Sequence, residues 1–336
     1  MAIGESKLMH SMLSKNFKKL AIKMMFGKYH WVVPEEERDM YAFEKDIEGW
    51  KHSLSLQGDE PYKLTKWSKK HPGVPKGKLV KGKMTSTKYY PESVHNYKVY
   101  VPAKYDKNKT YPLMIFLDGI DFFLSGGCKA NLALDNLIDK NKIPAMIAVF
   151  LNPGDHGEGI PGYGGFSMPG GNRSLEYDSV DDTFAKFLEE EFLPIIYDKY
   201  NVTRNPEWVG IAGGSSSANA AFNVAWLRPD LAQKVLSYVG SFIDIRGAHI
   251  QPNRVRTSKK QPLRIALQDG SRDLNVMQGN WNLANQEMVS ALDYRGYDYK
   301  FTFGEGGHSQ FHCGEILPED LMWLWRDFDE KKGTEG

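Results

Sequence analysis

The segment Trp208-Val-Gly-Ile-Ala-Gly-Gly-Ser-Ser-Ser-Ala-Asn-Ala-Ala-Phe is an apolar run, then small residues around Ser215, then a helix-forming run. A serine on such a strand-to-helix turn lifts its hydroxyl above a sheet, and its neighbours must be small because the turn leaves no room for side chains. Ser215 is the candidate nucleophile on this reading. Gly213 and Gly214 stand ahead of it, and Ser217 stands where the G-x-S-x-G pattern carries its last glycine. The neighbouring register, with Ser216 as nucleophile, fits less well because Ala218 would then trail it. The plainer reading of the same residues is a helix N-cap, a position serine favours.

A serine hydroxyl is a weak nucleophile without a base, and a histidine base needs a carboxylate to fix its tautomer and stabilise its charged form. Of nine histidines, His308 follows the last strand-like run, in the glycine-rich loop FGEGGHSQFH that could carry an imidazole over a sheet edge, while the others lie mostly in the extension or in segments without strand-end context. The chain order serine, acid, histidine places the acid after the preceding strand. There LQDGSRDLN supplies Asp269 and Asp273. Asp273 lies far enough past the strand to curl back beneath the histidine, whereas Asp269 is expected to organise the turn through its own backbone. An oxyanion then needs two N–H donors, expected from Ser216, directly after the nucleophile, and from Ile120, where Gly119 lets the backbone come close.

Other chemistries find less footing. His308 and His312 have the spacing of two ligands on one helix face, yet no H-E-x-x-H pattern or third ligand accompanies them, so no metal is expected. The phosphate-binding loop G-x-x-x-x-G-K-[ST] is absent, and no G-x-G-x-x-G run opens a strand-helix unit, so no nucleotide cofactor is implied. Lys and Arg number 43 against 42 Asp and Glu, a net charge of +1 that exerts no pull on nucleic acid. A small-molecule ester is the expected partner, and the oligomeric state stays open. Cys128 and Cys313 are the only cysteines, too few for a disulfide framework or a cysteine-based zinc knuckle.

The elements that must position these residues are legible as a series. Residues 1–75, rich in Lys, Met, Trp and Glu and ending in the breaker-rich HPGVPKGK, read as an extension with short helices, and 76–330 as one catalytic domain. In the extension, Phe17, Leu20, Ala21 and Met24 fall at helical spacing among Lys15, Lys18, Lys19 and Lys23, a basic amphipathic helix expected to dock on the domain or a partner rather than on a membrane. Beyond it, KLVKGKMTST and NYKVYVP suggest an antiparallel pair. YPLMIFLDG, AMIAVFLNPGD, WVGIAGG, KVLSYVGS, LRIALQDG and YKFTFGEGG then read as buried strands, with helical patterns over 130–140, 179–200, 216–228, 279–295 and 315–327. Strand and helix in alternation mean an α/β fold, a mostly parallel central sheet with helices on both faces and ligands beyond the strand carboxyl ends. The glycine-rich loop 154–172 is long enough to cover such a site as a lid or rim. No run of 18 apolar residues occurs, and the lysine-studded start lacks the apolar core of a signal peptide, so the expected compartment is cytoplasmic.

The runs IPAMIAVFLNPGD, NRSLEYDSVDDTFAKFLEEEFLPIIYDKY, AGGSSSANAAFNVAWLRPD, LQDGSRDLN with GNWNLANQEM, and GEGGHS occur in one order over residues 75–330. Together they resemble the "putative esterase" family of α/β-hydrolases, which includes enterochelin (siderophore) esterases, feruloyl and acetyl-xylan esterases, S-formylglutathione hydrolases and mycolyltransferases; the enterochelin esterase-like branch is nearest. The resemblance implies the α/β-hydrolase fold, the triad Ser215, Asp273 and His308, no cofactor, and a siderophore-like or carbohydrate-linked acyl ester as substrate. Arg173 and Glu176 resemble the family's recurrent Arg-x-x-Glu-Tyr. They could bind substrate, the arginine by a forked contact, or clamp a loop to the domain. Trp281, just beyond the acid, could wall the pocket or belong to the core. An acyltransferase on the same triad and a non-catalytic binding protein are the rival readings, since a fold alone does not name a function.

Overall fold

The computed structural model describes residue 52 and residues 61–124, 127–155 and 172–329. The extension's amphipathic helix and nearly all of the loop 154–172 lie outside the described residues.

Runs such as Leu113–Leu117 are apolar at every position because both faces of their sheet are covered. In that strand, Leu113, Ile115 and Leu117 enter one core and Met114 and Phe116 the other, following the two-residue period of a strand. Eight strands form the sheet: β1 (Lys78–Thr85), β2 (Val94–Val101), β3 (Leu113–Leu117), β4 (Ile147–Asp155), β5 (Val209–Gly214), β6 (Lys234–Tyr238), β7 (Arg264–Gly270) and β10 (Asp298–Gly304), in the order β1-β2-β4-β3-β5-β6-β7-β10. The pairs β1–β2 and β2–β4 are antiparallel, and all later neighbours are parallel. This is the α/β-hydrolase arrangement.

The helical stretch 183–199 and the helices Ser216–Leu227, Gln251–Thr257 and Trp281–Tyr294 cover one face, supplying Phe187, Leu188, Phe192, Phe222, Val255 and Met288 to its core. Helices Ala130–Asp139 and Phe311–Leu324 cover the other with Leu134, Leu137, Leu317 and Leu321. Several features differ from the sequence expectation. The run YKFTFGEGG forms β10 at the sheet edge, with no buried residue, and the helix Gln251–Thr257 was not expected. The last helix begins at Phe311 rather than 315, with the Ser309 hydroxyl accepting from the Phe311 N–H just behind His308. A short hairpin of β8 (Asn275–Val276) and β9 (Gly279–Asn280) follows Asp273, with Gly279 at φ 146°, a conformation open to glycine.

Among the described residues, no helix is long and apolar enough to cross a membrane.

Candidate active site

Ser215 follows β5 at the centre of the sheet and opens the helix Ser216–Leu227 at φ 62° and ψ −127°. A non-glycine residue rarely takes this conformation, and it persists only where the surroundings dictate it. Here the Ser215 N–H donates to the Tyr238 carbonyl at 2.9 Å, and its own carbonyl accepts from Ala218 at 3.0 Å and Ser241 at 3.2 Å. A Cβ on Gly213 would lie 1.9 Å from the Ser217 carbonyl oxygen, so this turn admits only glycine there.

Ser217, the departure from G-x-S-x-G, is an integral part of the turn. Its buried hydroxyl donates to the Gly214 carbonyl and accepts from the Gly214 N–H, both at 2.8 Å. Removing it leaves both groups without that partner in a dry turn. Ser217→Ala is expected to lose about 1–3 kcal/mol of unfolding free energy in urea titration; a loss within about 0.5 kcal/mol, as at an indifferent surface site, would mean that the hydroxyl is incidental.

Asp273 lies just past β7 and His308 just past β10, so the three side chains project from strand carboxyl ends. His308 Nε2 is 2.8 Å from Ser215 Oγ, and Nδ1 is 2.6 Å from Asp273 Oδ1. Asp273 Oδ1 also accepts from the Leu274 N–H at 2.6 Å, which fixes the carboxylate. Burial pushes the His308 imidazole well below its usual range; the Asp269 charge opposes this and Arg173 adds to it. Asp269 accepts from the Gly270 N–H at 2.8 Å, in keeping with a turn-organising role, and burial followed by the Asp273 charge holds its carboxyl well above the usual range.

The two expected oxyanion donors differ in setting. Ser216 is the first residue of a helix, where N–H groups have no intrahelical acceptor. The Ile120 N–H donates to Asn152 Oδ1 at 3.0 Å, and Asn152 Nδ2 in turn donates to Asp121 Oδ2 at 2.8 Å. An oxyanion must share or displace that amide oxygen to reach Ile120. Gly119 is needed beside it, since a Cβ there would lie 2.4 Å from the Phe150 backbone.

Of the two roles open to Arg173 and Glu176, substrate binding and clamping, their contacts favour clamping. Both are buried in the short helix Arg173–Tyr177. Arg173 grips Asp118, at the end of β3, with Nε at 3.1 Å from both carboxylate oxygens and Nη2 at 2.7 Å from Oδ2, and it reaches the Gly214 carbonyl at 3.4 Å. Glu176 Oε1 accepts from the Gly154 N–H at 3.0 Å and lies 2.9 Å from His95 Nε2. Both side chains are held by partners inside the protein. Trp281, 3% exposed, packs with Ile243, Leu274 and Val276, and its ring meets His308 edge to face at 5.6 Å. It forms a wall behind His308.

Ser241 escapes a reading of the sequence. Its hydroxyl lies 3.3 Å from Ser215 Oγ and accepts from Trp281 Nε1 at 3.0 Å. The available signal was its place just past β6, the strand beside the one that leads to Ser215. Among the described residues, no group of three or more His, Cys, Asp or Glu side chains is arranged to hold a metal ion.

Residues 90–324 match the model of the family described as "Putative esterase". The uncharacterized protein YbbA of Bacillus subtilis (strain 168) is 19% identical over 236 residues, covering 68% of this chain and 91% of that protein. Among solved structures, a ferulic acid esterase superposes with a TM-score of 0.60 at 20% identity, covering 75% of this chain and 100% of its own. The enterobactin esterase FES from Shigella flexneri, determined in the presence of enterobactin, superposes with a TM-score of 0.60 at 19% identity, covering 76% of this chain and 60% of its own. At these identities the structural likeness is one of fold.

Proposed function

This chain belongs to the "Putative esterase" family, whose class of reaction is ester-bond hydrolysis, and from that premise we propose that it cleaves a carboxylic ester through an acyl-enzyme on Ser215. The observation that carries the reading is the relay of 2.8 Å from Ser215 Oγ to His308 Nε2 and 2.6 Å from His308 Nδ1 to Asp273 Oδ1.

In the proposed reaction, Ser215 Oγ attacks the ester carbonyl while His308 Nε2 takes its proton, and Asp273 stabilises the imidazolium without itself becoming protonated. The oxyanion gathers on the N–H groups of Ser216 and Ile120, the latter turning from Asn152. His308 protonates the departing alcohol, then activates the water that releases the acid. A siderophore-like or carbohydrate-linked acyl ester is the substrate class that accords with the enterobactin and ferulic acid esterases of the same fold.

The test is labelling with a fluorophosphonate followed by mass spectrometry, alongside turnover of p-nitrophenyl acetate and butyrate with and without added alcohols. An adduct on Ser215 and release of free acid are expected. A transacylated alcohol as main product would make the enzyme a transferase on the same triad, and neither labelling nor turnover would leave a binding protein. The pH profile gives a second check. The base must be neutral, and burial disfavours its charged form, so kcat/KM should rise with pH along a limb centred below the ordinary imidazole midpoint of about 6.5 and stay level through neutrality. A limb centred above that value would contradict a desolvated His308.

A further inference from the structure

The mechanism just proposed leaves one buried hydroxyl against the nucleophile without a role. Ser241 is fully buried past the end of β6, and its main-chain N–H donates to the Ser215 carbonyl at 3.2 Å, so its position is tied to the elbow itself. Its Oγ sits 3.0 Å from Trp281 Nε1 and 3.3 Å from Ser215 Oγ.

The direction of each bond follows from the chemistry of the groups. An indole N–H only donates, so the Ser241 oxygen accepts from Trp281 and its own proton must point elsewhere. Ser215 must present its proton to His308 Nε2 for the base to act. The remaining arrangement has the Ser241 O–H donating to a lone pair of Ser215 Oγ. A continuous chain of hydrogen bonds then runs from Trp281 Nε1–H through Ser241 and Ser215 to His308 and Asp273, with every proton assigned.

We propose that Ser241 is a further catalytic residue, one whose hydroxyl, oriented by Trp281, stabilises negative charge on Ser215 Oγ and acts chiefly in deacylation. The inference rests on the acyl-enzyme reading. The asymmetry between the two half-reactions comes from what Oγ is in each ground state. In the free enzyme it is a hydroxyl oxygen, already a fair acceptor, so part of the bond is present before attack. In the acyl-enzyme it is the bridging oxygen of an ester, a poor acceptor. It regains acceptor strength when the tetrahedral intermediate collapses and Oγ leaves with the electron pair of its bond to carbon, before His308 returns the proton. Only an interaction stronger in the transition state than in the preceding ground state accelerates a step. Ser241 meets that condition best as Ser215 departs.

The experiment compares the full-length wild type, Ser241→Ala and Trp281→Phe on p-nitrophenyl acetate, with stopped-flow observation of the first turnover and melting curves for each protein. A hydrogen bond to a charged oxygen supports an expectation that kcat falls roughly 10- to 100-fold in Ser241→Ala. kcat/KM, which reports acylation, should fall several-fold less, so KM falls too and a burst of p-nitrophenol appears or grows. Trp281→Phe frees the Ser241 hydroxyl to turn away and should show the same split in weaker form, which keeps the test decisive if Ser241→Ala does not fold. Equal losses in kcat and kcat/KM without a burst, in whichever variant folds, would overturn the role and leave Ser241 a packing residue. Fluorophosphonate labelling of the wild type separates the two failures. An adduct on Ser215 with no kinetic split rejects the Ser241 role alone, whereas no adduct there rejects the acyl-enzyme on which it rests.

Discussion

Ser215→Ala is expected to lower turnover of p-nitrophenyl butyrate by as much as about 10^6-fold, and His308→Ala by a similar factor, because the two act as one unit. Without Oγ no acyl-enzyme forms. Without Nε2, 2.8 Å away, the hydroxyl keeps its proton at neutral pH and attacks poorly. The double variant should therefore be scarcely worse than either single one. The activity left over, roughly 10^3- to 10^4-fold above water, would come from the oxyanion donors and substrate binding. Asp273→Ala should cost less, on the order of 10^4-fold, since the carboxylate acts through the imidazole and never touches the ester. Initial rates with melting curves decide the matter. A Ser215→Ala protein that melts normally and retains a tenth of wild-type turnover would move the chemistry to another group, and adjacent Ser216 would be the first to try.

The proposed triad was legible in the sequence because Ser215, Asp273 and His308 each sit where chain order and strand pattern converge. Continuous apolar runs such as LMIFL mark strands covered on both faces, and in such a sheet functional residues gather just past strand ends. Ser215 and Asp273 each stand just past such a run, and His308 past the mixed edge strand β10, all with glycines that announce a turn. Ser241 stands in the same kind of place, past β6. Its relevance, however, depends on β6 lying next to β5 and on an indole from the helix Trp281–Tyr294 arriving beside it, and neither pairing is written in local pattern. Asn152 was hidden for the same reason: its side chain reaches Ile120 only because β3 and β4 are neighbours.

Ser217 teaches a different lesson. Comparison with G-x-S-x-G marks it as a defect at the last glycine, but the pattern records only a need for small volume. A hydroxyl that folds back onto Gly214 meets that need and satisfies two backbone groups as well. Arg173 and Glu176 show the converse. A charged Arg-x-x-Glu looks exposed and ready for substrate until the fold buries it against partners 55 residues away for Arg173 and 81 for Glu176. Burial favours the clamp, and burial of a charged pair is the property that single-sequence patterns report least.

That burial makes Arg173→Ala the substitution expected to cost most in stability, about 3–5 kcal/mol, because it strands the Asp118 carboxylate in a dry interior. Asp118 is 2% exposed and Arg173 4%, and the guanidinium engages both carboxylate oxygens. Burial works against the Arg173 charge, but the Asp118 carboxylate outweighs it and holds the guanidinium above its usual range. Against a typical domain stability of roughly 5–15 kcal/mol, the loss is about a fifth or more. Lysine is no substitute, since a point charge on a flexible stem cannot reproduce the planar fork. Function should suffer with stability. Asp118 adopts φ 51° immediately ahead of Gly119 and Ile120, and Arg173 also touches the Gly214 carbonyl ahead of Ser215. One side chain thus joins the strand end bearing an expected oxyanion donor to the strand end bearing Ser215. Urea titrations of Arg173→Ala, Asp118→Ala and the double variant would test this as a cycle: the double variant should lose far less than the sum of the singles, because removing both charges leaves neither stranded. Additive losses, or a single-variant loss below about 1 kcal/mol as for an exposed ion pair, would mean that the pair is not the clamp its geometry describes.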